Sequence, residues 1–352
     1  MFPITGTTMN RIGSKIAMIG LAAALIGLPS GCDTDEHRSS VVVYTSVDRP
    51  YSEPILQAFE RQTGIRVRPV YDVEAAKTTG LVNRLLAEAE HPRADVFWNG
   101  EFAQTVLLKD EGVLAPYASP QSARIPASLR DPDGYWTGFG GRARVILINT
   151  DLLPPQHYPE SLFDLVSDRF PGHTIGVAYP LFGTTATQAA ALYAALGPDD
   201  ARRFYRDLYE RGVRVLDGNA SVRDWVADGR LSLGLTDTDD ACAAVRKGAA
   251  VKVLLPDQGR AGLGTLIIPN TVALVAGGPH PEQARALVDY LLSAEVEQTL
   301  MESGWFQIAP GNANAVSDCP TVSEIKSMQV NLNEVFRMLP QAKQELGELF
   351  VR

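Results

Sequence analysis

The sequence predicts an α/β protein of two lobes, each with a parallel-rich central sheet, joined by crossing hinge strands with a cleft between them. Three observations predict it. The chain has 352 residues, long for one compact core and comfortable for two. Strand-like runs alternate with amphipathic helical stretches twice along the chain, the pattern of parallel strands with crossover helices. The apolar stretch Thr265 to Val275 is broken by Pro269-Asn270, as expected of a strand passing between two units.

Val41-Val42-Val43-Tyr44-Thr45 is rich in β-branched residues and reads as the first buried strand. Residues 54–63 put Ile55, Leu56 and Phe59 on one helical side, and Gly64 ends that helix. A strand over 65–71, a helix over 78–90 and a strand at Ala94 to Trp98 complete the first alternation. Asp131-Pro132-Asp133-Gly134 is a turn, and Arg144 to Asn149 is a strong strand. The second unit has a helix over 161–170, a strand at Thr174 to Ala178 and helices over 185–196 and 199–211. Strands at 213–216 and 231–236 follow, with a helix over 222–228 between them, then a helical stretch over 241–247 and a strand at 251–255. One long amphipathic helix covers 281–301, and 322–350 supplies one or two more. The division that results is lobe 1 over 41–142 and 269–310, lobe 2 over 143–268, and C-terminal helices over 311–352.

The first forty residues differ in kind. Arg11 and Lys15 precede an apolar run from Ile16 to Leu28, followed by Pro29-Ser30-Gly31-Cys32. A basic start, a short apolar core and small residues describe an export signal over 1–32, the alternative being an N-terminal anchor helix. Ser30-Gly31-Cys32 resembles the lipobox of bacterial lipoproteins, with Pro29 in the usual Leu place. The resemblance implies lipidation of Cys32, a membrane lipid anchor and a periplasmic or cell-surface location. The polar residues 33–40 read as a tether. A net charge of −9 with no basic stripe argues against a nucleic-acid partner. Cys242 and Cys319 lack metal-ligand spacing, and either a disulfide or two buried thiols is open to them. No histidine pair has zinc spacing, and nucleophile elbows, Walker loops and dinucleotide loops are missing, which points away from an enzyme and a catalytic cofactor.

Five segments carry a family resemblance: Tyr44-Thr45-Ser46-Val47-Asp48, Ala94 through Glu101, Gly140 through Val145, Pro180 through Thr185, and Ile268 through Leu274. In this order they resemble the ferric-iron-type substrate-binding proteins of ABC importers, over about Val41 to Pro310. The resemblance implies the periplasmic binding protein type II fold and a small ligand held between the lobes. It also implies delivery to an ABC permease and its ATPase, and the chain is expected to be a monomer. In ferric members a ligand after the first strand, a Glu after the third and two adjacent Tyr from the second lobe bind Fe(III), often with carbonate or phosphate as synergistic anion. Carried over residue by residue, Asp48 and Glu101 fall near the first two positions, and the tyrosine pair falls on Thr238 and Asp239. No Tyr-Tyr occurs anywhere in this chain, so the ferric assignment is not simply inherited.

What stands in their place is acidic. Asp237, Asp239 and Asp240 lie within four residues, more than helix capping requires, and carboxylates this close repel unless a cation or a hydrogen-bond network answers them. With Asp48 and Glu101 they would form an oxygen-only site suited to a hard cation; the plain alternative is a cap and ordinary loop acids. Gly183-Thr184-Thr185 opens a helix whose N–H groups and hydroxyls suit an anion, though a single capping Thr explains less. Arg142 and Arg144, two apart on a strand, share a face and offer planar forks for an anion, or are surface arginines. Thr45 and Ser46 are hydroxyl donors on the opposite wall, and Asn219 sits in a turn near the cleft. Tyr135, Trp136 and Phe139 either line the cleft or pack beneath the hinge. The expectation is therefore capture of ferric iron or a related hard cation with an anion. The alternatives are a phosphonate or phosphorylated solute, a metal-dependent hydrolase and a sensory lipoprotein.

Overall fold

The computed structural model describes residues 40–72, 79–303, 305 and 325–350. The leader with Cys32, most of the tether, and Cys319 lie outside the described residues. In the first unit β1 (Ser40–Thr45) lies between β2 (Arg66–Tyr71) and β3 (Val96–Asn99), all parallel, with α1 (Arg49–Thr63) and α2 (Thr79–Ala87) as connections. Successive strand side chains point to opposite faces. Val41 and Val43 thus pack with Ile55, Leu56 and Phe59 of α1, and Tyr44 joins Leu81 and Leu85 of α2 in the other core. Helix α3 (Ala103–Asp110) and the short β4 (Leu114–Ala115) follow.

Two long strands, β5 (Thr137–Asn149) and β10 (Ile267–Val275), form an antiparallel pair at the middle of the sheet. Beyond them, β6 (Ile175–Ala178) lies between β7 (Arg214–Leu216) and β8 (Leu233–Asp237), again parallel. The order is β2-β1-β3-β10-β5-β8-β6-β7, with β9 (Val251–Leu254) pairing β5 and β4 pairing β10. Helices α4 (Gly183–Leu196), α5 (Pro198–Glu210), α6 (Asn219–Ala227) and α7 (Thr238–Arg246) cover the second half. In β5, Ala143, Val145 and Leu147 meet Val226 and Ala241, whereas Ile146 and Ile148 enter the core shared with α4 and α5. The register of β5 against β10 shifts at Pro269-Asn270, and the Asn270 side chain donates to the Gly140 carbonyl there.

Three expectations change. The central strand starts at Thr137 instead of Arg144, because its glycines answer close approach, not a loop. A Cβ on Gly138 would lie 2.5 Å from the Leu129 carbonyl oxygen, and one on Gly140, at φ +42°, would collide with Leu300. The long helix over 281–301 is two, α8 (Pro281–Leu291) and α9 (Ala294–Glu302), since the Ser293 hydroxyl caps the second by accepting from the Val296 N–H at 3.3 Å. The stretch 161–170 forms only a 3-10 turn, Leu162–Val166, whose start is tied to the Asp257 carboxylate. The C-terminal helix α10 (Leu332–Leu349) packs on α4 and α5 and reaches α3. Trp136 and Phe139 are buried beneath the strands, Phe139 with its ring 5.6 Å from that of Trp98. Cys242, in α7, is disulfide-bonded. Among the described residues no helix is long and apolar enough to cross a membrane.

Candidate functional site

The carboxyl ends of β1, β3 and β8 and the N-termini of α4 and α7 meet beside β5, where alternation sets Arg142 and Arg144 on one face. Arg144 is fully buried. Its Nη1 donates to Asp237 Oδ1 at 2.6 Å, Asn219 Oδ1 at 3.0 Å and Thr184 Oγ1 at 3.4 Å, and its Nε to Gln188 Oε1 at 2.9 Å. The other Asp237 oxygen accepts from the Thr184 hydroxyl at 2.6 Å and Asn219 Nδ2 at 2.9 Å. Buried ions cost several kcal/mol each unless paired and hydrogen-bonded, and this pair has nearly a full complement. Thr185 reaches Asn219 Oδ1 at 3.5 Å, and Gly183 turns the chain into α4 at φ +52°, a conformation that favours glycine. Thr238 spends its hydroxyl as an acceptor for the Ala143 N–H at 3.1 Å.

Asp237, Asp239 and Asp240 bring one oxygen each within 4.8 Å of one another, and among the described residues they are the one group of acids, histidines or cysteines so arranged. Asp240 is held by Arg223 at 2.8 Å. Asp239 is different: its Oδ1 is buried and has no hydrogen-bond partner. Burial, opposed by Arg142 and reinforced by Asp237, pushes the Asp239 carboxyl up to about 6. Burial and then the charges of Asp239 and Asp237 push Asp240 to about 8, against Arg223. Together the pair holds a proton more tightly than free carboxyls do. Among the buried donors without a partner are Arg142 Nε, Arg144 Nη2 and Trp305 Nε1. Buried polar atoms are nearly always paired, so an unpaired acceptor and unpaired donors around one acid cluster mark a place for a ligand with both kinds of group. Tyr51 and Trp305 form an edge-to-face pair at 5.6 Å beside it, and the Arg142 guanidinium lies 5.2 Å from the Trp305 ring centre.

The residues of the first half are placed otherwise. Asp48 sits at the N-cap of α1 and its charge reaches Asp239 and Arg142. Glu101 is not brought into the acid group. Its carboxylate accepts from the N–H groups of Ala103 at 2.7 Å and Gln104 at 3.0 Å at the start of α3, and burial raises its pKa. Thr45 Oγ1 accepts from the Val47 N–H at 3.1 Å. The Ser46 hydroxyl donates to Asn99 Oδ1 at 2.5 Å and accepts from the Gly100 N–H at 2.9 Å. Two contributors escaped the sequence reading, Gln188 and Arg223. Each lies four residues past a candidate on its own helix, Gln188 after Thr184 and Arg223 after Asn219, so helical spacing was the available signal.

Comparison with known proteins bears on the family and the fold. Iron uptake protein A1 of Synechocystis sp. is 23% identical over 328 residues, covering 90% of this chain and 88% of that protein. The solved structure of iron-bound HitA from Pseudomonas aeruginosa superposes with a TM-score of 0.77 at 19% identity, over 88% of this chain and 99% of the other. The periplasmic binding protein AfuA of Actinobacillus pleuropneumoniae, with exogenous fructose-6-phosphate bound, superposes at 0.73 and 18% identity, over 88% and 98%. These neighbours have the type II fold that the sequence implied, and the family is one of binding proteins and not of enzymes. Residues 92–331 match the family described as bacterial extracellular solute-binding protein, and to that family the chain belongs.

Proposed function

We propose that the cleft captures a hard cation of the ferric class together with an anion, and that the chain delivers both to an ABC permease and its ATPase. The observation that carries this is the buried, unpartnered Asp239 Oδ1 within the acid trio. Oxygen-only donors suit a hard cation. The unpartnered N–H groups of Arg142 and Arg144 suit carbonate or phosphate beside it, as charge-assisted donors. An iron uptake relative and an Fe(3+)-binding periplasmic relative support the same reading. In it the chain is a monomer, anchored by lipid on Cys32 and lacking a catalytic cofactor. Its lobes, 41–142 with 269–310 and 143–268, close about β5 and β10 as hinge strands. Metal content of the leaderless protein, measured after ferric citrate with bicarbonate and desalting, tests it. One iron retained per chain is expected; no retained iron refutes the metal reading.

A second reading is favoured by the same guanidinium donors: a phosphorylated or phosphonate solute, with Asp239 holding its amino or hydroxyl group. The fructose-6-phosphate bound to AfuA supports that chemistry. A rise in melting temperature with a sugar phosphate or aminoalkylphosphonate, in chelator-treated protein, would select it.

A further inference from the structure

We propose that Arg142 is a latch holding the two halves of the sheet together across the cleft, a role separate from its contact with ligand. The proposal rests on the reading of this cleft as the binding site. Gly100 follows β3 and Asp237 ends β8, and in the sheet these strands are separated by β10 and β5. Arg142, on β5, reaches both sides. Its Nη2 donates to the Gly100 carbonyl, and its Nη1 lies 4.0 Å from Asp237 Oδ2. The guanidinium is attracted by Asp239, Asp237, Asp48 and Asp240, in that order, so carboxylates from both halves hold it. The Trp305 ring lies over it, and Tyr51 of α1 meets that ring edge to face. A Cβ on Gly100 would lie 3.4 Å from Arg142 Nη2, at contact distance, so the guanidinium sits directly against this turn.

Separating the walls therefore requires either breaking the charge-assisted hydrogen bond to Gly100 or withdrawing the cation from the acids of the other wall. The planar fork is what makes one side chain serve both; a lysine ammonium at the end of its stem is a point donor. Loss of one charge-assisted hydrogen bond corresponds to roughly a tenfold change in an equilibrium.

The test uses small-angle X-ray scattering of the ligand-free protein, wild type beside Arg142→Lys and Arg142→Gln, with circular dichroism to establish that each is folded. Both variants are expected to scatter as more open molecules, the open-to-closed ratio rising roughly tenfold, with Arg142→Lys no better than partial in restoring closure. Either variant suffices if the other fails to fold. Folded variants that scatter as wild type overturn the latch and leave Arg142 as a ligand contact only. Because no ligand is added, a wild type that retains no iron would refute the metal reading without touching this result.

Discussion

The two walls of the cleft are built from the same kind of loop, at the carboxyl ends of parallel strands, yet they end differently. In the first half Ser46, Asn99 and Glu101 spend their polar atoms on one another and on the start of α3. In the second half Arg144 and Asp237 are nearly satisfied, but Asp239 Oδ1, Arg144 Nη2 and the adjoining Arg142 Nε are left over. On the proposed function the difference assigns the roles: around the cleft, the wall whose hydrogen bonds close on themselves shapes it, and the wall with the buried carboxylate and guanidinium remainders takes the ligand. Such remainders persist only at a cost, since an unmade buried hydrogen bond costs about 1–3 kcal/mol.

The largest effect should come from breaking the satisfied part of the second wall. Arg144→Met leaves the Asp237 carboxylate buried with the Thr184 and Asn219 hydrogen bonds and only the more distant Arg142 guanidinium, at 4.0 Å, and urea unfolding should show a loss of about 3–5 kcal/mol. A loss below about 1 kcal/mol would mean that Asp237 finds solvent, and the contrast between the walls would fall. Next comes the unsatisfied part. The folded chain raises the Asp239 carboxyl to about 6, so it holds a proton that the unfolded chain has given up at the same pH. Stability is then present at low pH and lost as pH rises through the folded pKa. Asp239→Asn should therefore be more stable than wild type at pH 8, on the order of 2 kcal/mol, and the two should converge near pH 4. Parallel melting curves across that range would contradict it. The smallest effect belongs to the first wall. Glu101→Gln keeps an acceptor for one of the two N–H groups at the start of α3 and should cost about 1 kcal/mol, with ligand retention unchanged.

Much of the fold was legible because its signals are local. The runs around Val41–Val43 and Val145–Ile148 alternate between two cores as strand periodicity requires, and Pro269-Asn270 marked the crossing of the halves. What was not legible came from packing between distant segments. Gly138 and Gly140 lay before the expected strand, and only the fold brings the Leu129 carbonyl and Leu300 to where a Cβ on each would be. At the site, the types were readable and the allegiances were not. Asp237, Arg144, Thr184 and Asn219 stood out as separate candidates, and only the fold shows them bonded to each other, leaving Asp239 unpaired. Glu101 follows a strand end as a ligand would, and an N-terminal helix turn two residues away takes its oxygens.

The most direct test of recognition by the second wall is iron retention after equilibrium dialysis, with wild type, Asp239→Asn and Glu101→Gln side by side in bicarbonate buffer. The expected result is one iron held by wild type and by Glu101→Gln and none by Asp239→Asn. Retention by Asp239→Asn, or its loss in Glu101→Gln alone, would contradict it and move the binding to the first wall.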